Sequence, residues 1–93
     1  MTAQDTGLDA DYRQRVVDTM VTVLARLLDR QEPITEDMRL MEELGLSSTF
    51  GLELLLQLED QLLILIDVER MNTDETATVG ALATFIAGNS RPA

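Results

Sequence analysis

Hydrophobic positions in the first third of the chain recur at intervals of three and four residues. They predict an amphipathic helix with a wide buried face, from Tyr12 to about Arg30. Its apolar residues are Val16, Val17, Met20, Val21, Val23, Leu24, Leu27 and Leu28. Asp9 and Asp11 offer the side-chain chemistry of an N-cap. Residues 1–8 are polar and include a glycine, so we expect them to be loosely held.

A long segment without a regular period follows, from Gln31 to Gly45. Pro33 ends the helical region because proline lacks the backbone donor that a helix interior needs. Ile34, Met38 and Leu40 are scattered apolar residues in the segment. We therefore expect a loop tied to the core by these three side chains. Loops of this length are uncommon in small domains and are often functional.

A helical period returns in the middle of the chain and predicts a second helix from Ser48 to Gln61, with Leu62 completing it. The apolar run that follows, Leu63 to Ile66, has the composition of a short strand. The sequence offers no evident second strand to pair with it. We therefore expect an apolar loop packed on the helices.

The last third of the chain predicts two further helices. The segment NTDETA, residues 72–77, favours a short third helix. Thr78 is a candidate N-cap for a final helix from Val79 to Ala87. Its inward-facing residues are Val79, Leu82, Phe85 and Ile86. Gly88-Asn89 should end it, and we expect the tail SRPA to be disordered.

These elements predict an all-α fold, a small four-helix bundle with a long loop between helices 1 and 2 and a short helix 3. The chain has 93 residues, which fits a single domain over 1–93 with its ordered part at about 9–88. Only three residues are aromatic, one Tyr and two Phe. The core must therefore be built from aliphatic side chains.

The charge balance limits the partners. Seven basic residues stand against 17 acidic ones, a net charge of −10, which repels nucleic acid and anionic lipid and favours partners with basic patches. The longest apolar run, LLILI at 62–66, is far shorter than the roughly 20 residues that span a bilayer. The N-terminus resembles no signal peptide. We expect a cytoplasmic, soluble monomer that binds neither membranes nor nucleic acid.

The composition also removes most catalytic chemistry. The chain has no Cys and no His, which excludes a Ser-His nucleophile and thiolate metal sites. The remaining candidates are carboxylates such as Glu42 and Glu43, and acids in a highly charged chain are usually just solvated. We expect neither an enzyme nor a metal site.

The second helix has two different faces when its residues are projected at about 100° per residue. The predicted core face holds Phe50, Leu54, Leu55, Leu58 and Leu62. The opposite face holds Leu52, Glu53, Leu56, Glu59 and Asp60. This second face is either a solvated charged face with two exposed leucines or a docking patch for a partner with an apolar groove and a basic rim.

Two adjacent serines stand at the start of this helix. Gly45 permits a tight turn, and Ser47 is a natural N-cap because its hydroxyl can accept a backbone N–H bond. Ser48 is then the first helical residue, where free N–H groups and the helix dipole stabilise an attached anion. On spacing alone, a plain helix cap is the commoner explanation for a serine here.

The stretch ELGLSSTFGLELLLQLE resembles the signature of acyl carrier proteins: Glu-Leu-Gly, any residue, Asp-Ser-Leu, three residues, Glu-Leu, three residues, Leu-Glu. The matching residues are Glu43, Leu44, Gly45, Ser48, Glu53, Leu54, Leu58 and Glu59. The preceding loop, with Leu40 as its apolar anchor, and the last helix, starting at Thr78-Val79, resemble the family as well. The resemblance covers about Arg13 to Ala87.

The resemblance implies that Ser48 carries 4′-phosphopantetheine, which a phosphopantetheinyl transferase attaches from coenzyme A. Acyl groups would be held as thioesters on the thiol of that arm. The implied partners are an acyl-loading ligase or acyltransferase and a ketosynthase or condensation-type enzyme, docking on Leu52, Glu53, Leu56, Glu59 and Asp60. The acidic helix face favours an acyl over an aminoacyl cargo.

The sequence departs from the signature beside the attachment point. Ser47 stands where the family usually has Asp, and Thr49 replaces the usual Leu. These departures, with the apolar LLILID run, favour a free-standing carrier of a specialised polyketide, lipopeptide or fatty-acyl pathway, as in antibiotic biosynthesis. Two alternatives stay open: a carrier-like interaction module without the arm, and a peptidyl carrier.

Overall fold

The computed structural model describes residues 2–93, except for the side chains of residues 2–9 and of Thr73. It contains three α-helices in this range: α1 (Thr2–Leu27), α2 (Ser48–Leu62) and α3 (Val79–Gly88). A two-stranded sheet pairs β1 (Ile64–Ile66) with β2 (Ser90–Pro92). Two 3₁₀ turns lie between β1 and α3, at Val68–Arg70 and Thr73–Thr76. The fold is thus mostly helical, as predicted, but it is not a plain four-helix bundle.

The first helix is longer at its start than its apolar stripe predicts. It begins at Thr2, so Asp9 and Asp11 lie inside it and the N-caps predicted there are wrong. Residues 2–8, which the sequence predicts to be loosely held, are part of this helix, whereas Met1 lies outside the described residues. No proline interrupts this stretch, and acidic residues near a helix N-terminus favour the helix.

The end of α1 is also earlier than predicted. The helix ends at Leu27 rather than near Arg30, because Asp29 adopts the left-handed conformation, with φ of +50°. The Arg30 N–H then bonds to the Ala25 carbonyl at 2.9 Å. This closing bond turns the chain before Pro33 is reached.

The core lies where α1 packs against α2 and α3. It is aliphatic, as predicted. Its most fully buried side chains are Val16, Met20, Val23, Leu24, Leu54, Leu58, Val79 and Ile86. Phe85 is half-buried at its edge. The N-cap predicted for α3 is confirmed, since the Thr78 hydroxyl accepts the Ala81 N–H at 3.1 Å.

The predicted short third helix is the 3₁₀ turn Thr73–Thr76. The Asn72 side chain accepts the Asp74 N–H at 2.9 Å, and the Thr76 hydroxyl donates to the Asn72 carbonyl at 2.9 Å. These local bonds close a single turn, and the short connection to α3 leaves no room for a longer helix.

The long loop between α1 and α2 is held by hydrogen bonds to the start of α3. Leu40 N–H donates to the Ala77 carbonyl at 2.9 Å, and Val79 N–H donates to the Met38 carbonyl at 3.0 Å. Ile34 and Leu40 are buried and Met38 half-buried. The prediction of a loop anchored by these three side chains is therefore confirmed.

An ion pair ties the same loop to both α1 and α3. Arg13 Nη2 donates to Glu36 Oε1 at 2.6 Å and to the Gly80 carbonyl at 3.2 Å, and its Nε donates to Thr84 Oγ1 at 3.0 Å. The hydrogen bond from Arg13 lowers the pKa of Glu36, and the same bond raises the pKa of Arg13. A Cβ at Gly80 would stand 3.0 Å from Glu36 Cβ and 3.2 Å from the Glu36 carbonyl oxygen, so a larger residue there would crowd the loop.

The apolar run after α2 is a strand, which corrects the prediction of an apolar loop. Its partner is the C-terminal tail, which is therefore not disordered. The strands are antiparallel, with Leu65 opposite Arg91; Ala93 N–H donates to the Leu63 carbonyl at 3.0 Å. Burial of Ile64 and Ile66 on one side of β1 favours the pairing. The sequence Ser-Arg-Pro does not predict a strand, because proline is uncommon within strands.

The edges of this small sheet are partly occupied. Asp67 N–H bonds to the Asn89 carbonyl across the sheet, so the Ile66 N–H points to the outer side of β1. There it donates to Glu59 Oε2 at 2.8 Å. On β2, Pro92 has no N–H to offer. Tyr12 holds this strand to α1 through a hydrogen bond with the Ser90 hydroxyl at 2.7 Å.

Candidate functional site

The two serines open α2 and have different roles. Ser47 has extended backbone angles, and its hydroxyl accepts the Phe50 N–H at 3.1 Å. This confirms the predicted N-cap. Ser48 is the first residue of the helix and is exposed. The structure therefore leaves Ser48 at the surface, whereas the hydroxyl of Ser47 is engaged in the cap.

A tight turn between two buried leucines places the serines at the surface. Leu44 and Leu46 are both buried, and Gly45 between them has a φ of +67°. Other L-residues rarely adopt this conformation. A Cβ at Gly45 would meet nothing within 4 Å, so the glycine serves the backbone angle and not a close contact. The turn predicted at this residue is confirmed.

A groove of about 650 Å³ adjoins the serines. It lies between the loop at 39–42, the first half of α2, the second 3₁₀ turn and the start of α3. Its apolar lining includes Leu40, Met41, Leu46, Leu54, Leu55, Met71 and Leu82. Three charged residues also line it: Arg39, Glu42 and Asp74. Sequence reasoning did not place Arg39, Met71 and Asp74 at this site, because only the tertiary fold brings them there.

A second cavity, of about 660 Å³, lies at the other end of α2. It is formed by residues 65–70 and 88–91, around the sheet. None of the predicted site residues lines it. We therefore take the groove beside Ser48 as the candidate site.

The predicted docking face of α2 is exposed for most of its length. Leu52 is 60% exposed and Leu56 is 52% exposed, and Glu53 and Asp60 are exposed beside them. Glu53 also accepts a hydrogen bond from the Gln57 amide at 3.1 Å. Glu59 differs because its carboxylate is bound to the Ile66 N–H. Four of the five predicted residues thus form an exposed patch, and the fifth supports the sheet.

The predicted core face of α2 is correct except at its first turn. Leu54 and Leu58 are buried, and Leu55 and Leu62 are half-buried. Phe50 is 39% exposed, which corrects its assignment to the core. Met41, in the neighbouring loop, is also exposed. Both residues add exposed apolar surface close to Ser48.

The two carboxylates named above as examples of enzymatic candidates, Glu42 and Glu43, both have structural partners. Glu43 Oε1 accepts the Arg39 N–H at 2.8 Å. Glu42 forms an ion pair with the Arg39 side chain. Among the described residues, no three Asp or Glu side chains are grouped to hold a metal ion. In the described part of the chain, no helix is long and apolar enough to cross a membrane.

The donor set around Ser48 fits a phosphodiester. The Ser48 side chain is exposed, and the first turn of α2 contains no acidic residue. Free N–H groups of a helical first turn favour an anion. One guanidinium, that of Arg39, lines the adjoining groove. The apolar lining gives room for a non-polar chain next to that anion.

Comparison with known proteins gave no match to a family model, to a curated protein or to a solved structure.

Proposed function

We propose that the protein is an acyl carrier: Ser48 holds 4′-phosphopantetheine as a phosphodiester and the chain presents the attached acyl group to partner enzymes. The observation that supports this is the division between the serines. Ser47 caps α2 through its hydroxyl, and Ser48 is exposed at the first position of the helix. The apolar groove beside them suits the cargo.

Ser48 acts as the acceptor in arm attachment. Its Oγ forms the new bond to phosphorus, while the pyrophosphate P–O bond of coenzyme A breaks and adenosine 3′,5′-bisphosphate leaves with the electron pair. The Ser48 proton goes to a base of the transferase, because the chain has no His. Ser47 keeps the first turn in place during this step. When bound, the arm supplies the thiol that holds acyl groups as thioesters.

Intact-mass measurement tests this assignment. The purified protein is incubated with coenzyme A and several phosphopantetheinyl transferases, including one from its own host. We expect a mass gain of one arm in the native protein and in Ser47→Ala, and none in Ser48→Ala. No gain in the native protein with any transferase would overturn the proposal.

We also propose that the patch of Leu52, Glu53, Leu56 and Asp60 contacts the partners, namely the transferase, the loading enzyme and the condensing enzyme. The patch is apolar along its centre and acidic at its sides, so it suits a basic rim around an apolar groove. Rim charges mainly change association rates. We expect Glu53→Lys to slow loading several-fold.

The matched control for this docking test is Asp18→Lys. Asp18 accepts a hydrogen bond from the Gln14 amide on the exposed face of α1 at 2.9 Å, much as Glu53 does from Gln57 on α2. Both reversals make the same change in net charge. Equal slowing by both variants would show that the patch is not the partner surface.

One observation favours the second candidate, a docking module without the arm. Ser47 caps the helix without bringing the negative charge that the resembled family has at this position, and Thr49 replaces its leucine. In that case the patch still binds partners while the mass experiment finds no arm. A peptidyl carrier is distinguished by the loading enzyme that the holo protein accepts, an amino-acid-activating one rather than an acyl-activating one.

A further inference from the structure

Arg39 is the only basic residue among the described residues that line the groove beside Ser48. Glu42 and Asp74 line the same groove, in a chain whose net charge is −10. A phosphate group on Ser48 adds negative charge to this surface. The nearest source of compensating charge in the groove is the Arg39 guanidinium.

The backbone of Arg39 is fixed, so only its side chain can move. Its N–H donates to Glu43 Oε1 at 2.8 Å, and its carbonyl accepts the N–H groups of Glu43 and Leu44 at 3.0 and 3.1 Å. It also forms a β-bridge with Thr78. A long side chain on a fixed backbone can exchange partners without disturbing the loop.

The loop brings Arg39 close to the start of α2. Leu46 N–H donates to the Leu40 carbonyl at 2.9 Å, so the backbone next to Arg39 contacts the backbone just before the serines. Arg39 and Ser48 also line the same groove, so both side chains adjoin one open space.

The present partner of the guanidinium does not hold it strongly. Arg39 and Glu42 form an i,i+3 pair in which the side chains are 57% and 65% exposed. Exposed ion pairs contribute little to stability, typically about 0–1 kcal/mol. A phosphate binds guanidinium through two parallel hydrogen bonds and competes well with a single exposed carboxylate.

We propose that Arg39 leaves Glu42 and binds the phosphate group on Ser48. The inference deepens the proposed function, on which it rests for the natural source of that phosphate. Ser47 is consistent with it, because a serine, unlike the aspartate of the resembled family, brings no carboxylate that would compete for the guanidinium. The arm would then be fixed at its root by a side chain of the loop.

The test places a phosphate at Ser48 without a transferase. Ser48→phosphoserine is made by genetic code expansion, and its second pKa, ordinarily near 6, is followed by ³¹P NMR. A guanidinium in contact favours the dianion, so we expect Arg39→Gln to raise this pKa by about one unit. Arg39→Lys, which keeps the charge but not the paired donors, should give an intermediate value.

Arg70→Gln is the matched control. Arg70 forms a similar i,i+3 pair, with Asp67 at 3.0 Å, at the opposite end of α2. The Arg70→Gln substitution removes the same charge as Arg39→Gln, but the pKa of the phosphate on Ser48 should stay at its original value. Equal pKa values with and without Arg39, or an equal rise in the Arg70 variant, would overturn the inference.

This experiment separates the two proposals. A pKa that depends on Arg39 supports the phosphate contact even where the mass experiment finds no arm on Ser48, which overturns the carrier function alone. If Ser48 carries the arm but the phosphate pKa is the same with and without Arg39, the contact between Arg39 and the phosphate is overturned and the carrier function is still supported.

Discussion

The two ends of α2 are built differently. At the Ser48 end, backbone hydrogen bonds and a capping hydroxyl arrange the chain around an open groove. At the other end, the buried Ile64 and Ile66 hold a small sheet, and Leu63 is left 72% exposed with a φ of +56°. A leucine in this conformation is unfavourable by about 1–2 kcal/mol. At the Ser48 end the residues adopt the backbone conformations that they favour. At the sheet end, burial of apolar side chains outweighs the conformational preference of Leu63.

The difference shows which forces set each end. Gly45 and Ser47 are residue types that favour the conformations they adopt. Leu63 is not, and the chain accepts the strain because the turn directs the next residues into the core. The Ser48 end should therefore respond to changes in hydrogen bonding and backbone angle, and the sheet end to changes in buried volume.

The largest expected effect is at the sheet. Ile66→Ala removes a buried side chain and should lower the free energy of unfolding by about 2–5 kcal/mol. Leu65→Ala, on the exposed side of the same strand, should cost less than about 1 kcal/mol. Chemical denaturation measures both. Equal losses would contradict the assignment of burial in β1.

The next effect concerns Glu59, which lies on the docking side of α2 but supports the sheet. Glu59→Ala leaves the Ile66 N–H without its partner and should cost about 1–3 kcal/mol. Asp60→Ala, one residue away and exposed, should change stability by less than about 0.5 kcal/mol. Similar losses of stability in the two variants would show that Glu59 does not support the sheet, and it would then count as a residue of the docking patch.

At the Ser48 end, loss of the cap should cost less. Ser47→Ala should lower stability by about 1 kcal/mol, whereas Ser48→Ala should leave it nearly unchanged. Arm attachment should respond in the opposite order, being retained in the first variant and lost in the second. Thermal denaturation of the two variants measures the capping role of Ser47, and intact-mass measurement on the same samples measures the acceptor role of Ser48.

Substitutions at Gly45 and Leu63, the residues with positive φ at the two ends of α2, should give effects of no larger size and of opposite sign. Gly45→Ala should destabilise by about 1 kcal/mol, because alanine is strained at a φ of +67°. Leu63→Gly should stabilise by about 0.5–1 kcal/mol by relieving the same strain. If Leu63→Gly instead destabilises, the exposed leucine side chain makes contacts that outweigh its strain.

The smallest expected effect is that of pH on the loop before the groove. Arg13 lowers the pKa of Glu36 below its usual 4.5 when the protein is folded, so this stabilisation is present above pH 4.5 and lost as pH falls through the lowered value. Glu36→Gln should therefore be less stable than the native protein at neutral pH, with the gap closing in acid. Glu32→Gln is the control, because Glu32 in the same loop is 78% exposed and makes only a longer contact, of 3.5 Å, with Arg30. A gap for Glu36→Gln that does not change with pH would contradict the role of the Arg13–Glu36 ion pair.

Sequence patterns predicted the helical elements and the Ser48 end because those depend on local signals. The 3.6-residue period, Gly45, the caps at Ser47 and Thr78 and the anchor Leu40 are each readable from a few neighbouring residues. The early start of α1 was missed because its first residues lack an apolar stripe. The groove's full lining, including Arg39, depends on residues that only the fold brings together.

The sheet could not be predicted in the same way. Its strands are separated by the whole of α3, and Ser90–Pro92 carries neither alternation nor β-branched residues. Pairing there follows from burial of Ile64 and Ile66 and from the anchor that Tyr12 makes with Ser90. These are long-range contacts, and no local pattern records them.

The occupied edges of that sheet have a consequence for how the protein behaves when concentrated. Exposed strand edges beside apolar side chains recruit strands from other molecules and start aggregates. Here Leu63 and Leu65 are exposed next to β1, yet the Glu59 carboxylate occupies the outward N–H of Ile66 and Pro92 withholds one from β2. One carboxylate and one proline thus reduce the number of free N–H groups on the edges of this sheet. A variant that lacks both should form intermolecular β-structure at concentrations where the native protein stays monodisperse.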